Sequence, residues 1–138
     1  LEPIFLALNT MIGLSDASAV SVLGELCVLP RSLSGRACTS HAGLDVRHHQ
    51  SGTSVNKPGR ISKHGNKYLR RALYMPALVA GTHDRHAVAF KQRLQGRGKK
   101  GLQINTAIMR KMLTAAWAMV KNPQPYEGAK LYATIKTD

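Results

Sequence analysis

Acidic side chains are scarce in this chain. Seven Asp and Glu stand singly among 138 residues, against twenty Lys and Arg. No carboxylate cluster is present to hold Mg²⁺, a hard cation that takes oxygen ligands, so this chain is not expected to supply its own metal site or cofactor. Cysteine is rarer still. Cys27 and Cys38 are separated by ten residues and match neither a Cys-x-x-Cys pair nor a zinc-ligand spacing. They read as buried thiols in a reducing cytosol. Aromatics make up only 5%, which leaves Leu, Val, Ile, Met and Ala to fill a core. No apolar run approaches the roughly 18–20 residues of a membrane span, and no membrane partner is expected. The opening LEPIFLALNTMIGL lacks the basic start and the cleavage site of a signal peptide, so a cytoplasmic location is expected. It begins at Leu1 rather than Met and reads as a fragment of a longer protein.

What the chain has in excess is positive charge. Between Lys57 and Lys111 lie fourteen Lys and Arg and one acid, Asp84, while the flanking parts balance at six basic residues against six acids. The whole net charge of +13 therefore sits in that stretch. A polyanion is the natural partner, because each phosphate neutralised by Lys or Arg releases condensed counterions. Composition alone leaves three readings open: a solvated basic surface, a ribosomal-type RNA-binding protein, and a DNA-binding domain.

A chain of this length makes about one domain, with roughly two thirds of its unfolded surface buried on folding. The patterning predicts a mostly α fold, a single domain over 1–138, since alternating runs are too few for a sheet. Residues 1–14 read as a helix or its remnant. Ser15 or Asp16 caps a second helix with Val20, Leu23 and Leu26 on its apolar side, stopped by Pro30. SLSGRACTSHA, from Ser32 to Ala42, is a shorter helical candidate. Gly43 to Gly65 holds Gly43, Gly52, Gly59, Gly65 and Pro58 and is the longest irregular stretch, with room for a short extended piece. Loops of this length tend to be functional or disordered. Asn66 then caps KYLRRALYMPALVA, whose Leu69, Leu73, Ala77 and Ala80 form an apolar stripe opposite Lys67, Arg70, Arg71 and Tyr74. Pro76 should kink this helix. Asp84 caps the next helix, through Leu94, and the loop GRGKKG follows. The last clear helix runs from Leu102 to Lys121, with Ile108, Met112, Ala115 or Ala116 and Met119 as its core stripe and Trp117 as an anchor. Beyond Pro123 and Pro125, the tail from Tyr126 is expected to be loosely held.

Few residues offer chemistry. KPGRISKHGN, running into a helix start, and GRGKKG, with Lys99 and Lys100, both offer backbone N–H groups to an anion, but neither is a GxxxxGK[ST] loop. IGLS at Ile12–Ser15 has the form of a helix-hairpin-helix turn with its second glycine replaced by Ser15. Ser51 follows His48 and His49 and precedes a dense set of cations. A serine that attacks DNA phosphate needs positive charge around the transition state and a route for its proton. The alternative is that Ser51, Thr53 and Ser54 are ordinary turn residues bonding their own backbone. Tyr68 and Tyr74 read as packing residues of their helix rather than nucleophiles. His41, His64, His83 and His86 read as surface or capping residues.

The residues of GLDVRHHQSGTSVNKPGRISKHGNKYLRRALYMPALVA together resemble the C-terminal domain of insertion-sequence transposases related to the Piv invertase, the DEDD-type, bridge-RNA-guided recombinases of bacteria and archaea. The resemblance spans residues 12–126. It includes the hairpin-like start, the gap-free block from Gly43 to Ala77, the F-x-x-R-L segment from Phe90 to Lys100, and the late run with Met109, Arg110, Trp117 and Tyr126. It implies a division of labour. A RuvC-like domain elsewhere holds Mg²⁺ through four acids, and this domain supplies Ser51 as the nucleophile joined to DNA during strand exchange. Arg60, Lys63, Lys67, Arg70 and Arg71, with Lys99 and Lys100, would contact the DNA or guide-RNA backbone. The implied partners are DNA, a bridge RNA, a RuvC-like domain of the same or another protomer and, by analogy, further copies of the chain.

The sequence departs from that pattern at Ser15 in the hairpin and at Val46, where a proline is usual after the aspartate. It also carries no counterpart of the RuvC-like domain. Two expectations follow: a domain of a longer transposase, or a truncated remnant that binds nucleic acid without catalysis. In neither case is full recombination expected from this polypeptide alone.

Overall fold

The computed structural model describes residues 1–44, 46–47, 60–61 and 65–133, the four central residues as backbone only. Helices dominate. They are α1 (Glu2–Asn9), α2 (Asp16–Leu26), α3 (Gly35–His41), α4 (Lys67–His83), α5 (Arg85–Gly96), α6 (Gly101–Lys121) and the single turn α7 (Gly128–Leu131). The long irregular stretch contributes β1 (Val46–Arg47) and β2 (Arg60–Ile61), which pair antiparallel with Val46 opposite Ile61 and Arg47 opposite Arg60.

The helix starts follow from local chemistry. A free N–H at a helix start needs an acceptor, and a short polar side chain at the cap supplies one. Ser15 accepts from Ser18 N–H at 3.2 Å, and Ser34 accepts from Ala37 N–H at 3.0 Å. Asn66 accepts from both Tyr68 and Leu69 N–H, at 3.0 and 3.2 Å. Asp84 accepts from His86 N–H at 3.0 Å. At α6 the roles reverse: Gln103 Oε1 accepts from the Lys100 N–H at 3.2 Å.

α4 and α6 form the spine, and the other helices pack around them. The expected stripe of α4, Leu69, Leu73, Ala77 and Ala80, is buried, as are Ile108, Met112, Ala116, Met119 and Trp117 of α6. Trp117 also donates its indole N–H to the Leu33 carbonyl at 2.8 Å, fixing the turn before α3. Helix α4 runs on through Pro76, whose carbonyl faces Gly13. Gly13 adopts φ +105°, and a Cβ there would lie 2.5 Å from the Pro76 oxygen. The glycine of the hairpin-like start is thus used for close packing between the α1–α2 turn and α4.

Several expectations are corrected. The buried face of α2 is Ala19, Val22 and Leu26, whereas Val20 is 59% exposed. A shift of one position turns a helical side chain by about 100°, so Val20 points away from the core. Tyr68 and Tyr74 do not pack: they are 59% and 44% exposed. The tail is anchored as far as residue 133. Tyr126 N–H donates to Thr10 Oγ1 at 2.8 Å, its hydroxyl donates to Asp84 Oδ2 at 2.5 Å, and Tyr132 is buried against Phe90 with ring centroids 5.3 Å apart. The Tyr132 carbonyl also accepts from Arg93 at 3.0 Å. Of the two free thiols, Cys38 is buried and Cys27 is half-buried.

Candidate nucleic-acid interface

The Ser- and Gly-rich segment leaves and rejoins the fold at one place. On its N-terminal side Leu44 is buried. On its C-terminal side Gly65 (φ +119°) lies so close to the His41 carbonyl and the Gly43 N–H that no side chain fits there. Asn66 N–H donates to the His41 carbonyl at 2.9 Å. The Arg70 guanidinium, 28 residues along from Ala42, donates to its carbonyl at 3.1 Å. The end of α3 is therefore tied to the first turn of α4. The β1–β2 ladder then pairs Val46 and Arg47 with Ile61 and Arg60.

Of the anticipated site residues, Ser51 and Lys63 lie outside the described residues, and Arg60 is described only as the backbone of β2. Lys67, Arg70 and Arg71 share the first turns of α4. Lys67 and Arg71 are exposed and, four residues apart, lie on one side of the helix. The Lys67 ammonium sits 5.3 Å from the centroid of the Tyr68 ring. Arg70 is half-buried and turned toward Ala42. Lys99 and Lys100 are exposed in the turn between α5 and α6. That turn leads into the part of α6 whose Asn105 donates to the Tyr74 carbonyl at 3.4 Å, so these two lysines belong to a second basic element beside the middle of α4.

Not all of the positive charge faces outward for a partner. Arg93 and Lys111 both lie 5.6 Å from the Phe90 ring centroid, and Lys121 lies 5.4 Å from that of Trp117. Among the described residues no three His, Cys, Asp or Glu come together as metal ligands. The one buried acid among the described residues, Asp84, is already engaged by His86 N–H and the Tyr126 hydroxyl. The chain's described residues therefore do not fit a Mg²⁺ site. Burial, with the bond to Asp84, pushes the Tyr126 phenol well above its ordinary range, and burial does the same to Tyr132. Among the described residues no helix is long and apolar enough to cross a membrane.

Sequence reasoning missed the groove between α2 and α4. It is open, about 520 Å³ in volume, with Val20, Gly24 and Glu25 on one wall and Tyr68 and Arg71 on the other. A second depression of about 470 Å³ continues from Glu25 and Tyr68 to Lys67 and His41, at the foot of the clamped segment. The signal available in the sequence was an aromatic residue flanked by Lys67 and Arg71 on the polar side of the helix.

Comparison with known proteins places the chain among transposases. Residues 6–95 match the family described as Transposase IS116/IS110/IS902, and because this covers more than half of the chain, the chain belongs to that family. The pilin gene-inverting proteins of Moraxella lacunata and Moraxella bovis are each 41% identical to it over 95 residues. That match covers 68% of this chain and spans only 30% of the length of these relatives.

Proposed function

We propose that this chain is the serine-bearing, DNA-contacting domain of a transposase-type recombinase, acting in DNA transposition and recombination through a covalent serine–DNA intermediate. The observation that carries this reading is the clamp between α3 and α4. It returns the segment containing Ser51 to a helix start where Lys67 and Arg71 are exposed. In a transposase family, a Ser- and Gly-rich segment tied to a cationic helix start suits presentation of a hydroxyl to a phosphodiester. The relatives' description as gene-inverting proteins supports DNA as the partner.

The chemistry is an exchange of esters. Ser51 Oγ attacks phosphorus as its proton passes to a base, and one deoxyribose oxygen leaves, taking up a proton. The phosphoserine ester conserves the broken bond, so a new deoxyribose hydroxyl can displace the serine without another energy source. Arg60, Lys63, Lys67, Arg71, Lys99 and Lys100 neutralise backbone phosphates, and Arg70 divides its role between that surface and the clamp. A RuvC-like domain, of the same or another protomer, would hold Mg²⁺, which supplies Lewis-acid polarisation of the phosphoryl oxygens. A guide RNA and assembly into homo-oligomers complete the reading by family resemblance.

The test pairs Ser51→Ala with the wild-type chain in the presence of a RuvC-like domain and Mg²⁺. The wild type is expected to form a covalent protein–DNA adduct that survives denaturation. Ser51→Ala should form none while binding DNA within about twofold of wild type, since loss of one hydroxyl leaves the cations intact. Adduct in Ser51→Ala would overturn the assignment of the nucleophile. Absence of adduct from the wild type would favour the alternative, a truncated nucleic-acid-binding remnant. Binding itself should be salt-sensitive: six to ten phosphate contacts lose roughly 10³–10⁵ in affinity between 50 and 200 mM salt.

A further inference from the structure

The α2–α4 groove carries a feature that phosphate neutralisation does not explain. Tyr68 is 59% exposed on a helix whose inward positions are filled by Leu69 and Leu73. A large ring left in water at a helix start contributes little to the fold. Its immediate neighbours are cationic: the Lys67 ammonium lies 5.3 Å from the ring centroid, and Arg71 lines the same groove one turn along. The opposite wall is low at Gly24, where an added Cβ would meet nothing within 4 Å, and apolar at the 59% exposed Val20. Glu25, on the same wall, is the acid that lines the groove.

From this arrangement we infer that the groove holds an unpaired base of single-stranded DNA, stacked on Tyr68, with Lys67 and Arg71 neutralising the phosphates on either side. The inference rests on DNA being the partner proposed above, and it names the form of DNA that this face takes. Three features select an unpaired base over a duplex. The ring offers a π-face, and the π-faces of bases are hidden within a duplex stack. Single-strand binders combine aromatic platforms with cations that track the backbone, which is the pairing seen at Lys67, Tyr68 and Arg71. Glu25 repels a phosphate within the groove, yet its carboxylate can accept from the exocyclic amine of a base. At about 520 Å³ the groove also falls in the size range of ligand clefts. Its continuation toward His41 and Lys67 reaches the foot of the Ser51 segment, so a stacked nucleotide would lie beside the strand presented to that segment.

The test uses single-stranded DNA of about twelve nucleotides carrying one 2-aminopurine, whose fluorescence is quenched by stacking. The full 138-residue chain is expected to bind it with quenching. Tyr68→Ala should lose the quench and bind roughly 5- to 150-fold more weakly, the range set by base–aromatic stacking. Tyr68→Phe keeps the ring and should keep both properties. Tyr74→Ala removes an exposed ring that does not line the groove and should change neither. Binding by Tyr68→Ala within twofold of wild type, with the quench intact, would overturn the proposal. Tighter binding of single-stranded RNA of the same sequence would overturn the DNA assignment. The outcome is separable from that of the nucleophile: a chain that forms no adduct through Ser51 yet loses stacking in Tyr68→Ala refutes the recombinase reading and leaves the groove standing, and the reverse pattern does the opposite.

Discussion

The guanidinium of Arg70 donates to the carbonyl of Ala42 at 3.1 Å, bridging 28 residues of sequence. Arg71, its neighbour, points the other way into the α2–α4 groove. Two adjacent cations in one basic motif are thus assigned different work by a rotation of about 100°. A charged donor on a partly buried carbonyl contributes about 1.5–3 kcal/mol. Arg70→Gln should therefore lower the free energy of unfolding, measured by urea melts, by an amount of that order. Arg71→Ala should leave stability within about 0.5 kcal/mol but reduce the slope of log affinity against log salt by roughly one on DNA. Parallel urea melts and salt titrations of the two variants check this, and equal stability losses would contradict the assignment.

Gly13 meets the Pro76 carbonyl where no side chain has room. An alanine there must take a φ near the observed +105° and place its Cβ 2.5 Å from that oxygen and 3.3 Å from the Ala80 nitrogen. Both faults act together, one on backbone conformation and one on packing. Gly13→Ala should cost about 2 kcal/mol or more, with the loss visible in chemical denaturation. Gly24→Ala, in open space on α2, is the control and should be neutral or slightly stabilising, as Ala favours a helix over Gly by up to about 1 kcal/mol.

Much of this helical frame was legible, and the reasons differ by residue. Ser15, Asn66 and Asp84 announce their helices because capping is a local hydrogen bond between a short side chain and an N–H two or three residues on. The α4 stripe was legible because Leu69, Leu73, Ala77 and Ala80 keep one helical face for three turns. The α2 face was misread by one position because Val20 is more apolar than Ala19, and its exposure depends on what lies across the groove. The tail was misread for a different reason. Tyr126 is held by Thr10, 116 residues away, and by Asp84, 42 residues away, and no local pattern encodes such partners. Arg70 and Arg71 likewise look alike in sequence, and only the placement of α3 separates them. The serine of the proposed site came from family resemblance, since Ser51, Thr53 and Ser54 are chemically similar turn residues by spacing alone.

The two cysteines should differ sharply in reactivity. Cys38 is fully buried, and burial pushes its thiol from an ordinary 9.0 to about 11. Cys27 is half-buried, with Sγ 3.6 Å from the Gly24 carbonyl. The thiolate is the reactive species, so iodoacetamide near pH 8 should modify Cys27 while Cys38 stays protected until the protein opens. Peptide mapping after partial labelling reads this directly. The sign of the pH effect follows from the raised value. Cys38 favours the fold fully below about pH 9, and that contribution is lost as pH rises toward 11. Cys38→Ala should make the alkaline decline shallower.

The bond from the Tyr126 hydroxyl to Asp84 Oδ2 at 2.5 Å joins the chain's tail to the cap of α5. Asp84 is only 2% exposed, so its carboxylate depends on His86 N–H and this phenol for hydrogen bonds. Tyr126→Phe keeps the ring and removes one of these donors. Leaving a buried acceptor short costs about 1–3 kcal/mol, which should appear as a lower midpoint in urea near neutral pH. The same pair governs alkaline behaviour. Burial and the Asp84 bond raise the Tyr126 phenol above the value of about 10 that a free tyrosine has. The unfolded chain then releases its proton before the folded one, and stability must fall as pH climbs past 10. In Tyr126→Phe that component is absent, so the gap between variant and wild type should narrow between pH 9 and 11. A gap that stays constant across that range would mean that the phenol titrates alike in the folded and unfolded chain, and that the contact with Asp84 is not formed.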